Sequence, residues 1–297
     1  MRVQGPLGRA LARLARHRLA GVGAALLLLL VALVLARPLI AALLGTDAEA
    51  VDLLARGAPP SPAHPLGTDD LGRDLLLRLL AGGQVSLLVG LAGALGAGLI
   101  GALIGLVAGW REGWLDAALM RFTDGLLALP LLPLLIVLAA IDPGRVLPES
   151  WGMGPLVEVG RIVVLVALAG WPTTARLVRA ATLSLKRREF VRAAEALGVP
   201  GPRIVLRHIL PNAAAPLVVA TTLTVGNVIL LESALSFLGL GIRPPLATWG
   251  NMLSGGLETV WTAPLMVIAP GCLIFLTVMA VNFLGDGLHE ALDPRGD

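Results

Sequence analysis

Residues 189–212 read EFVRAAEALGVPGPRIVLRHILPN. From Lys186 to Leu197 the residues favour a helix, Gly198 can stop it, and Pro200, Gly201 and Pro202 turn the chain. A second short helical stretch is predicted from Arg203 until Pro211. On the first helix Phe190, Ala193, Ala194 and Leu197 share one face at i, i+3, i+4 and i+7 spacing, while Arg188, Arg192 and Glu195 fall on another. Periodicity alone allows two uses. Small alanines beside an aromatic can enter a groove on a partner protein, and a basic amphipathic helix can rest on anionic headgroups.

The surroundings of this stretch decide the fold class. Of the 297 residues, 56% are hydrophobic and 14% are charged, where a soluble domain carries roughly 25% charge. Several apolar runs approach the ~20 residues that cross a bilayer as a helix. Six spans are predicted, at 19–36, 84–110, 115–141, 161–175, 213–237 and 264–284, with Pro130 and Pro133 interrupting the third. The fold expected is an all-α integral membrane protein. The first run follows an arginine-rich start, as a signal peptide would, but it exceeds the usual ~7–15 residue signal core and is read as a retained span.

Residues 1–82 are expected to hold the N-terminal tail, the first span and an external amphipathic segment. Residues 83–297 are expected to form a five-span core carrying the loop 176–211. In the first part Thr68 is placed to cap a helix whose opening turn holds Asp69 and Asp70. Leu71, Leu75, Leu76 and Leu79 would give that helix one apolar stripe on the membrane surface. In the second span Gly101, Gly105 and Gly109 recur every four residues, which lets a neighbouring helix approach closely. GAGLIG at 96–101 matches G-x-G-x-x-G in form only, because no strand precedes it in a soluble βαβ unit. The Gly-, Pro- and Trp-rich residues 239–261 suit an interfacial or partly re-entrant loop.

Other chemistries find little support. The single cysteine, Cys272, excludes a disulfide framework within the chain, and His17, His64, His208 and His289 are too dispersed for a local metal motif. No metal site and no nucleic-acid partner are expected, since the basic residues gather beside apolar runs rather than on a separate domain. An intramembrane enzyme would want paired aspartates or a Ser with a His at one depth. A passive channel or scaffold would leave the helix–turn–helix at 186–211 unexplained.

With the N-terminus inside, six spans place 16 of the 23 Arg and Lys residues on the inner side and 7 outside. That bias predicts cytoplasmic termini and a cytoplasmic 176–211 loop.

RAAEALGVPGPRIVLRHILPN resembles the cytoplasmic "EAA" loop of ABC-importer permease subunits. Ala193, Ala194, Gly198, Leu210 and Pro211 stand in the matching positions. Arg192 takes the place of the leading Glu, His208 that of the usual Ile, and Glu195 lies one turn on from Arg192. HPLGTDDLGRD at 64–74, GWPTTARLVRAATLSLKRREFVRAAEALG at 170–198, ESALSFLGLGIRPP at 232–245 and NFLGDGLHEALDPR at 282–295 extend the likeness in order. Together they resemble the dipeptide, oligopeptide and nickel group of these permeases, in the form with one extra N-terminal span.

The resemblance implies a multi-pass protein of a prokaryotic inner membrane, working with a second related permease, two ATP-binding subunits and an external substrate-binding protein. Phe190, Arg192, Ala193, Ala194, Glu195, Leu197 and Gly198 would then form the coupling helix that meets the ATPase, with Leu210 and Pro211 ending the loop. This chain cannot hydrolyse ATP by a P-loop. Its sole lysine, Lys186, follows Ser184 and Leu185 and not a glycine-rich loop. ATP and Mg are therefore expected on the partner ATPases and no cofactor on this chain. Asn227 and Glu232 in the fifth span, Asn282 in the sixth and Asp124 near the third are too polar to face lipid, so each is expected to pack between helices or to line a path. Di- or oligopeptides are the substrates implied, with nickel complexes and glutathione as alternatives.

Overall fold

A computed structural model describes residues 12–141 and 154–292. Most of the loop expected at 142–160 lies outside the described residues, as do Arg2, Arg9, Arg145 and Arg295 of the charge argument. The helices are α1 (Arg18–Leu35), α2 (Arg37–Leu44), α3 (Leu75–Arg111), α4 (Gly113–Ala128), α5 (Leu131–Ala139), α6 (Pro155–Lys186), α7 (Glu189–Ala196), α8 (Gly201–Phe237), α9 (Trp249–Gly256) and α10 (Leu265–Leu292). Five of them, α1, α3, α6, α8 and α10, are long and apolar enough to cross a membrane. The α4–α5 pair, bent by 89°, brings the number to six where the two helices count as one broken span.

The bend has a local cause. Leu129, the residue before Pro130, is extended (ψ 137°) because the proline ring disfavours helical backbone there, and Pro130 offers no N–H to continue the ladder. Pro133 falls in the first turn of α5, where its missing N–H costs little.

Glycine sets the closest packing in the molecule. A Cβ at Gly101 would stand 2.8 Å from the Trp171 carbonyl oxygen, one at Gly105 2.5 Å from that of Ala175, and one at Gly109 2.7 Å from Thr182. α3 and α6 therefore touch backbone to backbone over two turns, as the four-residue glycine spacing predicts. Gly98, inside the GAGLIG stretch, packs on Thr221 of α8, so this stretch serves helix packing.

α9 is a short inserted helix between α8 and α10. Thr248 and Asn251 close a capping box at its start, and the buried Trp249 indole donates to the Leu79 carbonyl oxygen at 2.9 Å.

Several expectations are corrected. The N-cap of α3 is Asp74, whose Oδ1 accepts from the Leu77 N–H at 2.8 Å, and Thr68 lies upstream in an isolated antiparallel bridge with Asp74. The expected surface helix is thus the first two turns of α3 itself, continuous across residues 82 and 83, with Leu75 and Leu79 buried against α9 and α10. At ~1.5 Å per residue the 37 residues of α3 run about 55 Å, well beyond a ~30 Å hydrocarbon core, so the helix is longer than a perpendicular span requires. The fourth span is longer than 161–175, because α6 extends to Lys186. Pro211 does not end the second helical stretch. A wide π turn at Val205–Ile209 lets the Leu210 N–H reach the Val205 carbonyl and relieves the clash a proline makes with the turn before it, so α8 continues to Phe237.

Candidate functional site

The segment between α6 and α8 stands at the Arg111 end of α3. α6 stops at Lys186, and Arg188 turns extended (ψ 147°), so the coupling-type helix begins at Glu189 and not at Lys186 as the sequence suggested. α7 has only eight residues, too few for a helix to persist in water by itself. Its end is fixed by a Schellman motif. Gly198 adopts φ +74°, its N–H donates to the Glu195 carbonyl at 2.9 Å, and the Val199 N–H donates to the Ala194 carbonyl at 3.1 Å.

α7 is held down by Val191 and Ala194, 0% and 7% exposed, which pack with Leu106 of α3, Val178 of α6 and Ile204 and Ile209 of α8. Ala194 therefore leaves the face it was expected to share. Phe190, Ala193 and Leu197 remain outward, with Phe190 44% and Leu197 83% exposed. Arg187, Arg188, Arg192, Arg203 and Arg207 of this segment are all exposed, together with Glu189 and Glu195. The Phe190 ring tilts toward His208, the residue at the usual Ile position, with centroids 6.5 Å apart. Leu210 and Pro211 lie within α8 rather than at a loop end.

Two ion pairs brace the frame below α7. Arg179 of α6 meets Asp116 of α4 through both carboxylate oxygens at 2.5 and 2.6 Å. Lys186 meets Glu112 at 3.0 Å in the α3–α4 turn. Sequence reasoning missed these supports and the inward anchor Val191. The anchor left a signal, since Val191 and Ala194 form a second apolar pair at i, i+3.

The polar residues of the spans do not converge. Glu232 is fully buried between α3, α8 and α9, accepting from Ser86 at 3.1 Å and from Ser236 at 2.8 Å. Ser86 in turn accepts the Trp249 N–H at 3.2 Å, which ties the start of α9 to both long helices. Asn282 is exposed on α10 beside Gly226, and Asp124 is exposed 3.7 Å from Arg176. Asn227 lines a cavity of about 520 Å³ between the α4–α5 bend, α6 and α8, together with Leu131, Leu168, Pro172, Thr173 and Thr224. Among the described residues, no three His, Cys, Asp or Glu side chains are grouped as a metal site would need.

The long helices, the bent span and the inserted α7 find a counterpart among known proteins. Residues 101–296 match the family described as the inner membrane component of binding-protein-dependent transport systems. The chain belongs to this family. A protein of Brucella suis provisionally named a peptide permease is 40% identical over 99% of this chain and 92% of its own length. The oligopeptide transport system permease protein OppC of Salmonella typhimurium is 39% identical over 94% of this chain and 88% of its own. OppC of Bacillus subtilis is 36% identical over 96% and 88%. The resemblance carried by the separated motifs thus extends over nearly the whole chain. This permease subunit is a multi-pass membrane protein whose transport system includes a substrate-binding protein and an ATPase.

Proposed function

We propose that this chain is one of two related permease subunits in an ATP-driven importer of di- and oligopeptides, and that α7 is where the ATPase docks. The observation that carries this reading is the division of labour on α7. Val191 and Ala194 anchor it to the spans, which leaves Phe190, Ala193 and Leu197 as an apolar stripe facing outward.

Covering a Phe or Leu side chain is worth roughly 1.5–3 kcal/mol, so one shallow groove over this stripe suffices for a specific contact. The arginine rim suits a groove with acidic edges, and Arg192 in place of the leading Glu inverts the charge of the contact at that point. Charge of this kind selects the partner and speeds encounter more than it adds affinity. The positive-inside bias supports placing α7 and both termini in the cytoplasm, with residues 238–262 outside as a surface for the binding protein.

ATP and Mg would bind two ATPase subunits, whose closure displaces α7 and rocks the attached spans between inward- and outward-open states. The cavity at Asn227 is the part of the path this chain would supply. Its weakly polar lining suits substrates with varied side chains, which leaves selection to the binding protein. Peptides are favoured as cargo because the relatives are named for them.

The test is to purify the tagged chain in mild detergent from its native host and quantify what accompanies it. The expected result is a second six-span permease and the ATPases. Recovery of the chain alone, where a control transporter stays assembled, would overturn the proposal.

A further inference from the structure

Trp110 closes the last turn of α3, and the two ends of the segment that carries α7 converge on it. Lys186, the last residue of α6, donates from Nζ to the Trp110 carbonyl at 2.9 Å and lies 5.2 Å from the centre of the indole ring. Gly201, the first residue of α8, sits so close that a Cβ there would stand 3.0 Å from the indole Nε1 and 3.2 Å from Cζ2. α7 is thus bracketed by two contacts to one side chain, and that side chain also packs on the apolar cluster containing Val191 and Ala194.

The chain then leaves Trp110 through an abrupt turn. Glu112 (φ 51°) and Gly113 (φ 71°) are both left-handed, and α4 begins at once. Lys186 holds Glu112 and Arg179 holds Asp116, so both the turn and the start of α4 are fixed to α6 by charge. α4 runs from there to the bend at Pro130, where the cavity of Thr173, Thr224 and Asn227 opens.

We infer that Trp110 is a positioning residue for energy coupling, the seat through which displacement of α7 reaches the α3–α4 turn and the bent α4–α5 span. The inference rests on the reading of α7 as the ATPase contact. Its physical basis is packing. Close-packed groups pass a displacement on, whereas a void absorbs it. An indole fills the space between Lys186 and Gly201 with a rigid plate, and its face attracts the ammonium. Contiguity alone does not demonstrate coupling, so the test must measure the coupling itself.

The complete importer is reconstituted in proteoliposomes, and ATP hydrolysis is measured with and without its own binding protein, purified with the peptides it carries. Trp110→Ala should keep ATPase recovery and basal hydrolysis while stimulation by the binding protein falls roughly tenfold, within the ~5–150-fold span of couplings between sites. Trp110→Phe should restore more than half of the stimulation. Lys186→Gln, which removes the ammonium without opening a void, should give an intermediate loss, and it decides the matter if Trp110→Ala does not assemble. Wild-type stimulation in Trp110→Ala, or in Lys186→Gln where only that variant assembles, overturns the inference. So does a parallel loss of recovery, basal hydrolysis and stimulation in Lys186→Gln, which marks general collapse of the loop. Leu197→Asp separates the two levels. If it keeps full ATPase recovery, the docking reading itself fails; if it loses recovery while Trp110→Ala keeps full stimulation, only the role of Trp110 fails.

Discussion

Two polar segments stand at opposite ends of α3, and they use their charges differently. In residues 47–74 the buried polar side chains Thr68, Asp69 and Asp74 are all answered by the segment and the start of α3. Thr68 Oγ1 accepts the Ala58 N–H at 2.8 Å and donates to the Ala55 carbonyl. Asp69 is almost fully buried, accepting the Leu71 and Arg73 N–H groups at 2.9 Å and pairing with the Arg73 guanidinium at 2.7 Å and that of Arg78 at 3.2 Å. Asp74 caps α3 with one oxygen and meets His64 with the other at 2.9 Å. In residues 187–200 the Schellman turn closes the C-terminal end of α7, the N-cap Arg188 makes no side-chain cap, and Phe190, Leu197 and the arginines are left outward. The first segment spends its charges on its own fold, while the second keeps an apolar stripe and its arginines exposed, which is the contrast the proposed docking of the ATPase on α7 rests on.

Breaking the scaffold should cost most. Asp69→Ala takes the carboxylate from the largely buried Arg78 and leaves Arg73 with only Asp70 at 3.8 Å, and removing one partner from a buried ion pair costs about 3–5 kcal/mol. The expected outcome is failure to recover folded protein, or a large drop in melting temperature in detergent. A change below ~1 kcal/mol would mean that water already reaches Arg73 and Arg78.

Next comes Gly198→Pro. Proline locks φ near −65°, so the +74° needed for the Schellman turn is lost at a cost of roughly 3 kcal/mol confined to the α7 end. The spans should insert normally while ATPase recovery and transport collapse. Unchanged transport would return α7 to the status of a membrane-surface helix.

Leu197→Asp sharpens the contrast in the other direction. The side chain touches little of its own protein, so thermal stability should move by less than ~0.5 kcal/mol. ATPase co-purification should fall about tenfold or more, from the ~1.5–3 kcal/mol of burial forfeited at the contact. A loss of stability without a loss of ATPase would show that α7 is scaffold after all.

The smallest effect is expected from Glu195→Arg. An exposed charge contributes ~0–1 kcal/mol, so ATPase recovery should weaken by a few-fold and more strongly at low salt. Intact recovery at every salt concentration would show that Glu195 makes no charged contact with the ATPase.

The spans were legible because apolar length is a local property, and a close helix contact along α3 because Gly101, Gly105 and Gly109 repeat at the helical period; that α6 makes it came from the structure. The start of α3 was misread for an equally local reason. Thr68 followed by Asp69 and Asp70 has the composition of a cap, but the chain turns again at Gly72, which lies against the backbone of Asp52 and has φ +74°. Only there does the cap pass to Asp74. Likewise the face shared by Phe190, Ala193, Ala194 and Leu197 followed from spacing, whereas the inward turn of Ala194 depended on Leu106, Val178 and Ile209, which are distant in sequence.

The sequence by itself determined the class of protein, the family and the position of the helix–turn–helix that interrupts the apolar runs, because hydrophobic length, glycine spacing and ordered motifs are written along one dimension. Only the tertiary structure decided which side of α7 is free, that Glu232 is a buried tie rather than part of the cavity wall, and that Lys186 and Gly201 meet on Trp110. Each of those depends on which groups from remote helices fill the same space, and a helical period records only the angle of a side chain, not what lies opposite it.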